Sequence, residues 1–343
     1  MKEILYTALS LAFFSCSVTK TESKKNNEDV VVQYAKTIKE SDLKNLLYVY
    51  ASDEFEGRDT GEPGQKKAVE FLRQFYINHK ITSPLGDDNY YQKVPSSYLS
   101  NNRRGLQLND SENVVAFIKG SEKPDEIVVI SAHLDHEGIK NGEIYNGADD
   151  DGSGTVAILE IAEAFKKATK DGFTPKRSIL FLHVTGEEKG LLGSKFYTEN
   201  PIFPLANTVT NLNIDMIGRT DDFHKKDKKR NYLYLIGSDK LSTDLHNVSE
   251  EANKKYMNID LDYRYNDDDD PNRFYYRSDH YNFAKHNIPV IFYFNGTHED
   301  YHQPSDTPDK INYDLLENRT RLIFYTAWEI ANRNDRLVVD KAQ

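Results

Sequence analysis

An α/β/α sandwich with a mixed, mainly parallel central sheet is the fold class this sequence predicts. Near-continuous apolar runs, EIVVIS (126–131), SILFLHV (178–184) and PVIFYF (289–294), have the composition of strands buried on both faces. Segments of helical apolar spacing alternate with them, which places helices over both faces of one sheet. The element order follows. Residues 40–50 read as a helix, 51–64 as a Gly-, Asp- and Glu-rich loop, and 65–79 as a helix through Ala68, Phe71, Leu72 and Phe75. Strands at 113–118 and 126–131 precede an apolar helix at 154–168. The strand at 178–184 leads to a helix near 191–197, and 208–217 alternates through Val209, Leu212, Ile214 and Met216 before Gly218. A strand at 232–236, helices at 241–256 and 279–286, a strand at 289–294 and a closing helix at 315–332 complete the pattern. No internal repeat is evident.

The chain has 343 residues, with 44 Lys plus Arg against 55 Asp plus Glu, a formal charge of −11. That balance argues against a nucleic-acid partner, which calls for a basic face. Aromatic residues make up 12%, far from the composition of a disordered chain. The single cysteine, Cys16, excludes an intrachain disulfide and any thiolate-built metal site. It follows an apolar run, 4–14, that is too short to span a bilayer and fits the core of a signal peptide after Lys2. The segment resembles a bacterial lipoprotein signal. Residues 1–15 are the expected leader and Cys16 the expected lipidation site. Polar residues 17–29 form a flexible tether, and 30–343 a single domain. The protein is then expected to be extracytoplasmic, periplasmic or surface-facing, touching a membrane only through its lipid anchor.

In open α/β sheets ligands bind beyond the carboxyl ends of the strands. Chemistry-bearing residues sit there. EIVVIS runs into Ala132-His133-Leu134-Asp135-His136, SILFLHV into Thr185-Gly186-Glu187-Glu188, and TNLNI into Asp215. PVIFYF is followed by a loop carrying Tyr301-His302, and NGADDDGSG (146–154) precedes a helix. Three adjacent carboxylates, Asp149 to Asp151, repel one another. A solvated loop or a calcium loop would tolerate them, but His133, Glu188, Asp215 and His302 favour a transition-metal site. Imidazole and carboxylate without thiolate suit zinc, or less selectively manganese or cobalt. Two His and three carboxylates exceed the three protein ligands usual for one catalytic ion. They suit two ions sharing a carboxylate. His133 and Asp135, two apart on an extended segment, face the same way, so Asp135 can orient the imidazole. Glu187 and Glu188 diverge, so one can ligate while the other acts as a base.

At these residues the chain resembles a bacterial member of the di-zinc exopeptidase family best known for aminopeptidases. The matching segments are 51–64, SAHLDHEG (131–138), NGADDDGSGT (146–155), TGEEKGLLGS (185–194), NIDMIGR (213–219), RSDHYNFAKHNIPVIF (277–292) and YHQPSDT (301–307). The resemblance implies two zinc ions per chain. His133, Asp149 and Asp215 would hold one, and Asp149, Glu188 and His302 the other, with Asp149 bridging. It assigns Glu187 as general base, Asp135 as the carboxylate behind His133, and a cis peptide between Asp149 and Asp150. His280 is a substrate-contact candidate. His136, His183 and His298 read as structural, as does an ion-paired loop at Glu56 and Arg58. The implied reaction is hydrolysis of N-terminal peptide bonds on peptides with a free N-terminus. Glutaminyl cyclases, which use one zinc, and carboxypeptidases of acidic dipeptides share the fold. The full ligand set and TGEEKG favour the two-metal hydrolase over the cyclase, and the carboxypeptidase would want arginines around the pocket. Receptor ectodomains of this fold have lost ligands that are intact here.

Overall fold

The computed structural model describes residues 27–86, 88–100 and 105–341. The expected leader, Cys16 and most of the expected tether lie outside the described residues. The tether expectation extends too far. Helix α1 (Asn27–Ala35) begins inside it, because Val30, Val31, Tyr34 and Ala35 bury against the core. No described helix is long and apolar enough to cross a membrane.

The remaining helices are α2 (Glu40–Tyr50), α3 (Pro63–Asn78), α4 (Ser96–Leu99), α5 (Gly154–Lys170), α6 (Leu192–Glu199), α7 (Asp222–Asp227), α8 (Thr243–Ala252), α9 (His280–Ala284) and α10 (Tyr313–Asn332). Strands are β1 (Tyr91–Val94), β2 (Ser111–Ile118), β3 (Lys123–His133), β4 (Gly138–Lys140), β5 (Glu143–Tyr145), β6 (Arg177–Val184), β7 (Thr208–Ile214), β8 (Tyr232–Ile236), β9 (Asp260–Asp262) and β10 (Val290–Phe294). Eight of them form one sheet in the order β1-β2-β6-β3-β7-β10-β8-β9, and β4 and β5 form a separate hairpin. The central run β6-β3-β7-β10 is parallel, while β2 meets β6, and β8 meets β10, antiparallel. The sheet is mixed and mainly parallel, as expected from the buried apolar strands.

Side chains alternate across these strands. From β3, Val128, Ile130 and Ala132 enter one core and Ile127 and Val129 the other. From β6, Ile179 and Phe181 join the first, and Leu180, Leu182 and Val184 the second. The first core packs under α1, α2, α3, α5 and α10, and the second under α6 and α9. Helix α10 closes the first layer with Phe324 and Trp328 against Phe165 of α5. Its buried Arg319 donates to the carbonyls of Ile217 and Arg219 and so fixes the loop after β7. The elements missed in the sequence are short or polar. Edge strand β1 is YQKV, and the β4–β5 hairpin is half-exposed.

Candidate metal centre

Four parallel strands end side by side, and the loops after them deliver the site. β3 ends on His133, β6 is followed by Glu187 and Glu188, β7 by Asp215, and β10 by the loop holding His298 and His302. The aspartate triplet enters from the loop ahead of α5. Gly147 makes that approach possible: it sits at φ +53, and a Cβ there would meet the carbonyl of Asp150 at 2.2 Å and the His136 ring at 2.4 Å.

The three aspartates diverge. Asp149 accepts from the Gly218 N–H (2.6 Å) and contacts His298 Nε2 (3.1 Å). Asp151 accepts from the N–H groups of Gly154 and Met216 through Oδ1 and of His133 through Oδ2. Asp150 alone faces the strand ends. Its Oδ1 lies 3.1 Å from His133 Nε2, and its Oδ2 lies 3.0 Å from His302 Nε2. The sequence reading placed Asp149 in that position, and the structure corrects it by one residue. Asp149 cannot turn toward the strand ends while its carboxylate is held by Gly218 and His298. The cis peptide is likewise one residue on, between Asp150 and Asp151. Asp306 holds the triplet's backbone, its carboxylate accepting from the N–H groups of Asp149 and Asp150.

Asp150 makes two clusters of donor atoms continuous. His133, Asp150 and Asp215 offer ligand atoms within 4.8 Å of one another, as do His136, Asp150 and Glu188. Glu137, Glu188 and His302 form a further such group. Asp215 lies 3.6 Å from His133 Nε2, and Glu188 3.3 Å from His302 Nε2. A buried relay orients Asp215: Asn211 donates to Ser131, Ser131 to Asn213, Asn213 to Ser278, and Ser278 to Asp215 Oδ2 at 2.6 Å. His136, read as structural, in fact stands 2.9 Å from Glu188 Oε1. Its spacing of three from His133 was the available signal.

Asp135 does more than expected, by a different route. The His133 imidazole meets the Asp135 backbone carbonyl at 3.0 Å, while the carboxylate is 4.0 Å away. That carboxylate accepts instead from the Glu187 N–H (3.1 Å) and the Thr60 hydroxyl (2.8 Å). The loop read as ion-paired at Glu56 and Arg58 is so, among the described residues, through Glu56 alone. Glu56 pairs with Lys67, and buried Arg58 donates to the carbonyls of Leu134, Asn146 and Gly147, tying two site loops together.

Electrostatics separate the two adjacent glutamates. Burial pushes Glu187 well above the usual carboxylate range, and Glu188, Asp215 and Asp279 add to this against the pull of His133. Glu188 is also penalised by burial, but hydrogen bonds from His136 and His302 bring it down to about 2. Burial opposes ionisation of Asp150 too, and bonds from His133 and His302 hold it well below its ordinary value. Adjacent carboxylates driven apart in this way divide naturally into ligand and base. A buried set of His and carboxylates, two imidazoles facing opposite oxygens of one carboxylate, is a donor set that fits zinc.

A small open cleft lies over this centre. Asp150, Glu187, Asp215, Tyr301 and His302 line it together with Met216, Phe274, Phe292, Phe294 and Arg277. Tyr301 was quoted only as a neighbour of His302. Its ring stacks on His302 at 3.9 Å, and burial, with the surrounding carboxylates, raises the phenol so that it keeps its proton. His280 is a correction. It is fully buried, stacks on Phe292 at 4.8 Å, meets Tyr275 edge-on and does not line the cleft. The residue of that segment that reaches the cleft is Arg277.

Residues 113–327 match the sequence model of Peptidase family M28. The chain belongs to that family. Among curated relatives, aminopeptidase NAALADL1 of Rattus norvegicus is 37% identical over 113 residues, 32% of this chain but only 14% of that protein. Among solved structures, the LapA aminopeptidase of Legionella pneumophila superposes with a TM-score of 0.66 at 22% identity, covering 90% of this chain and 76% of that one. A glutaminyl cyclase of Bacteroides thetaiotaomicron gives 0.64 at 16%, covering 87% of this chain and 99% of that one. The fold of this M28 chain is therefore shared by aminopeptidases and cyclases, and the side chains must decide between them.

Proposed function

We propose that the protein is a two-zinc aminopeptidase acting on peptides with a free N-terminus. The observation that carries this is the Asp150 carboxylate, which turns one oxygen to His133 and the other to His302. His133, Asp150 and Asp215 would hold one ion, and Asp150, Glu188 and His302 the other. A single-ion cyclase has no need for both halves. Bound zinc supplies Lewis acidity, polarising the scissile carbonyl and acidifying water.

The chain's own groups do the rest. Glu187, raised by burial and fixed through its N–H by Asp135, takes a proton from the attacking water and returns it to the leaving amine. The protonated Tyr301 hydroxyl is a donor for the oxyanion that develops on the carbonyl. Lipid anchoring at Cys16 on the outer side of a bacterial membrane completes the reading. It rests on the apolar run 4–14 before the sole cysteine, and Cys16→Ser should release the protein from membranes.

The test is a panel of aminoacyl fluorogenic amides with and without chelator. The expected result is cleavage that chelator removes and zinc restores, with Glu187→Gln lowering kcat by about 10²–10⁴ at unchanged zinc content. Cleavage indifferent to chelator, or a fully active Glu187→Gln, would defeat the proposal.

A further inference from the structure

We propose that Arg277 determines specificity at this site by receiving a carboxylate of the substrate. The inference rests on the aminopeptidase reading and deepens it.

The cleft joins the metal centre, through Asp150, Glu187 and Asp215, to the side chains of Met216, Phe274 and Phe292. Arg277 is the one arginine or lysine lining it among the described residues. Its guanidinium lies over the Phe274 ring at 4.9 Å, a platform that limits its freedom without satisfying its donors. Among the described residues no carboxylate stands within ion-pair distance of it, whereas Arg219 is committed to Asp300, Arg177 to Glu126, and Arg58 and Arg319 to carbonyls.

The backbone beside Arg277 is anchored to the centre itself. Ser278, the next residue, donates to Asp215 at 2.6 Å and accepts from Asn213 at 2.8 Å. Arg277 therefore extends into the cleft shared with Asp150, Asp215 and His302 from backbone anchored to the centre. A planar guanidinium presents paired donors that match a carboxylate, and it is weakly hydrated enough to exchange water for one. A small peptide whose scissile bond lies at the metal centre can set a carboxylate on Arg277, the cationic side chain of the same cleft. That carboxylate can be the side chain of an acidic N-terminal residue or the free C-terminus of a dipeptide.

Two substrate pairs separate these sources on the zinc-loaded chain: Ala-Ala against Ala-Ala-amide, and Glu-p-nitroanilide against Gln-p-nitroanilide. Leu-p-nitroanilide reports turnover independently. The expected result is a preference in kcat/KM for the anionic member of at least one pair. Arg277→Ala should reduce that ratio about tenfold, and Arg277→Lys should restore part of it. The ratio should also shrink as salt is added, because the guanidinium is exposed. No preference in the wild type, or a preference that survives Arg277→Ala, would overturn the inference. Failure of the wild type to cleave any substrate would instead strike the aminopeptidase reading. Calorimetric titration of Ala-Ala and Ala-Ala-amide into Glu187→Gln would then read the same ratio as affinity, with Arg277→Ala added to the same background.

Discussion

His133 and His183 are equally buried, on neighbouring strands of one sheet, where Ala132 pairs with His183 and His133 with Val184. Their chemistry is opposite. His183 projects from the sheet toward α3, shares a 2.6 Å hydrogen bond with Tyr76, and is pushed down to about 3 by burial. His133 suffers the same burial, yet Glu187, Asp150 and Asp215 overcome it and lift it well above its ordinary value. Depth does not distinguish a structural histidine from a functional one. For this pair the company of carboxylates does, and those around His133 collect where parallel strands end.

The largest effect should come from emptying the carboxylate side of this contrast. Asp150→Asn is expected to cut kcat/KM by about 10³ or more, since it would weaken both halves of the proposed two-metal centre. Steady-state kinetics on the best amide substrate checks this.

Glu160 sharpens the comparison by showing a carboxylate buried without a histidine partner. Burial first, then Glu163 and Asp42, push it up to about 8. Its folded pKa exceeds the unfolded value, so stability is highest below about pH 4.5 as far as this group is concerned, and falls as pH rises toward 8. Glu160→Gln should therefore stabilise the fold at pH 8, by up to about 4 kcal/mol, and lose that advantage near pH 4.5. Denaturant melts across that range give the curve, and a pH-independent difference would refute the assignment.

Asp149→Asn probes the neighbour that positions rather than faces the centre. A loss of about 10–100-fold is expected, the usual scale for partners that orient ligands. Tyr76→Phe should cost only about 1 kcal/mol, the net worth of one buried hydrogen bond. The His183 ring should show no NMR titration between pH 5 and 8, whereas a midpoint in that range would erase the contrast with His133.

Much of this was legible in the sequence. The apolar strands and amphipathic helices repeat a pattern that burial enforces, so α2 and β8 fall on the expected residues. His133, Glu187, Glu188, Asp215 and His302 stand out because each follows a buried strand. The triplet was different. Asp149, Asp150 and Asp151 are chemically identical, and their roles are set by three backbone directions fixed by Gly147, Asp306 and the start of α5. His280 and Arg277 show the same limit at three residues' spacing. The imidazole turns into an aromatic core and the guanidinium into the cleft, and only the packing of Tyr275 and Phe292 decides which.

Zinc content per chain, measured by elemental analysis after dialysis, tests the central claim most directly. Two zinc ions in the wild type and in Asp149→Asn, with at least one lost in Asp150→Asn, is the predicted result. Full occupancy in Asp150→Asn together with loss in Asp149→Asn would contradict the bridging role of Asp150.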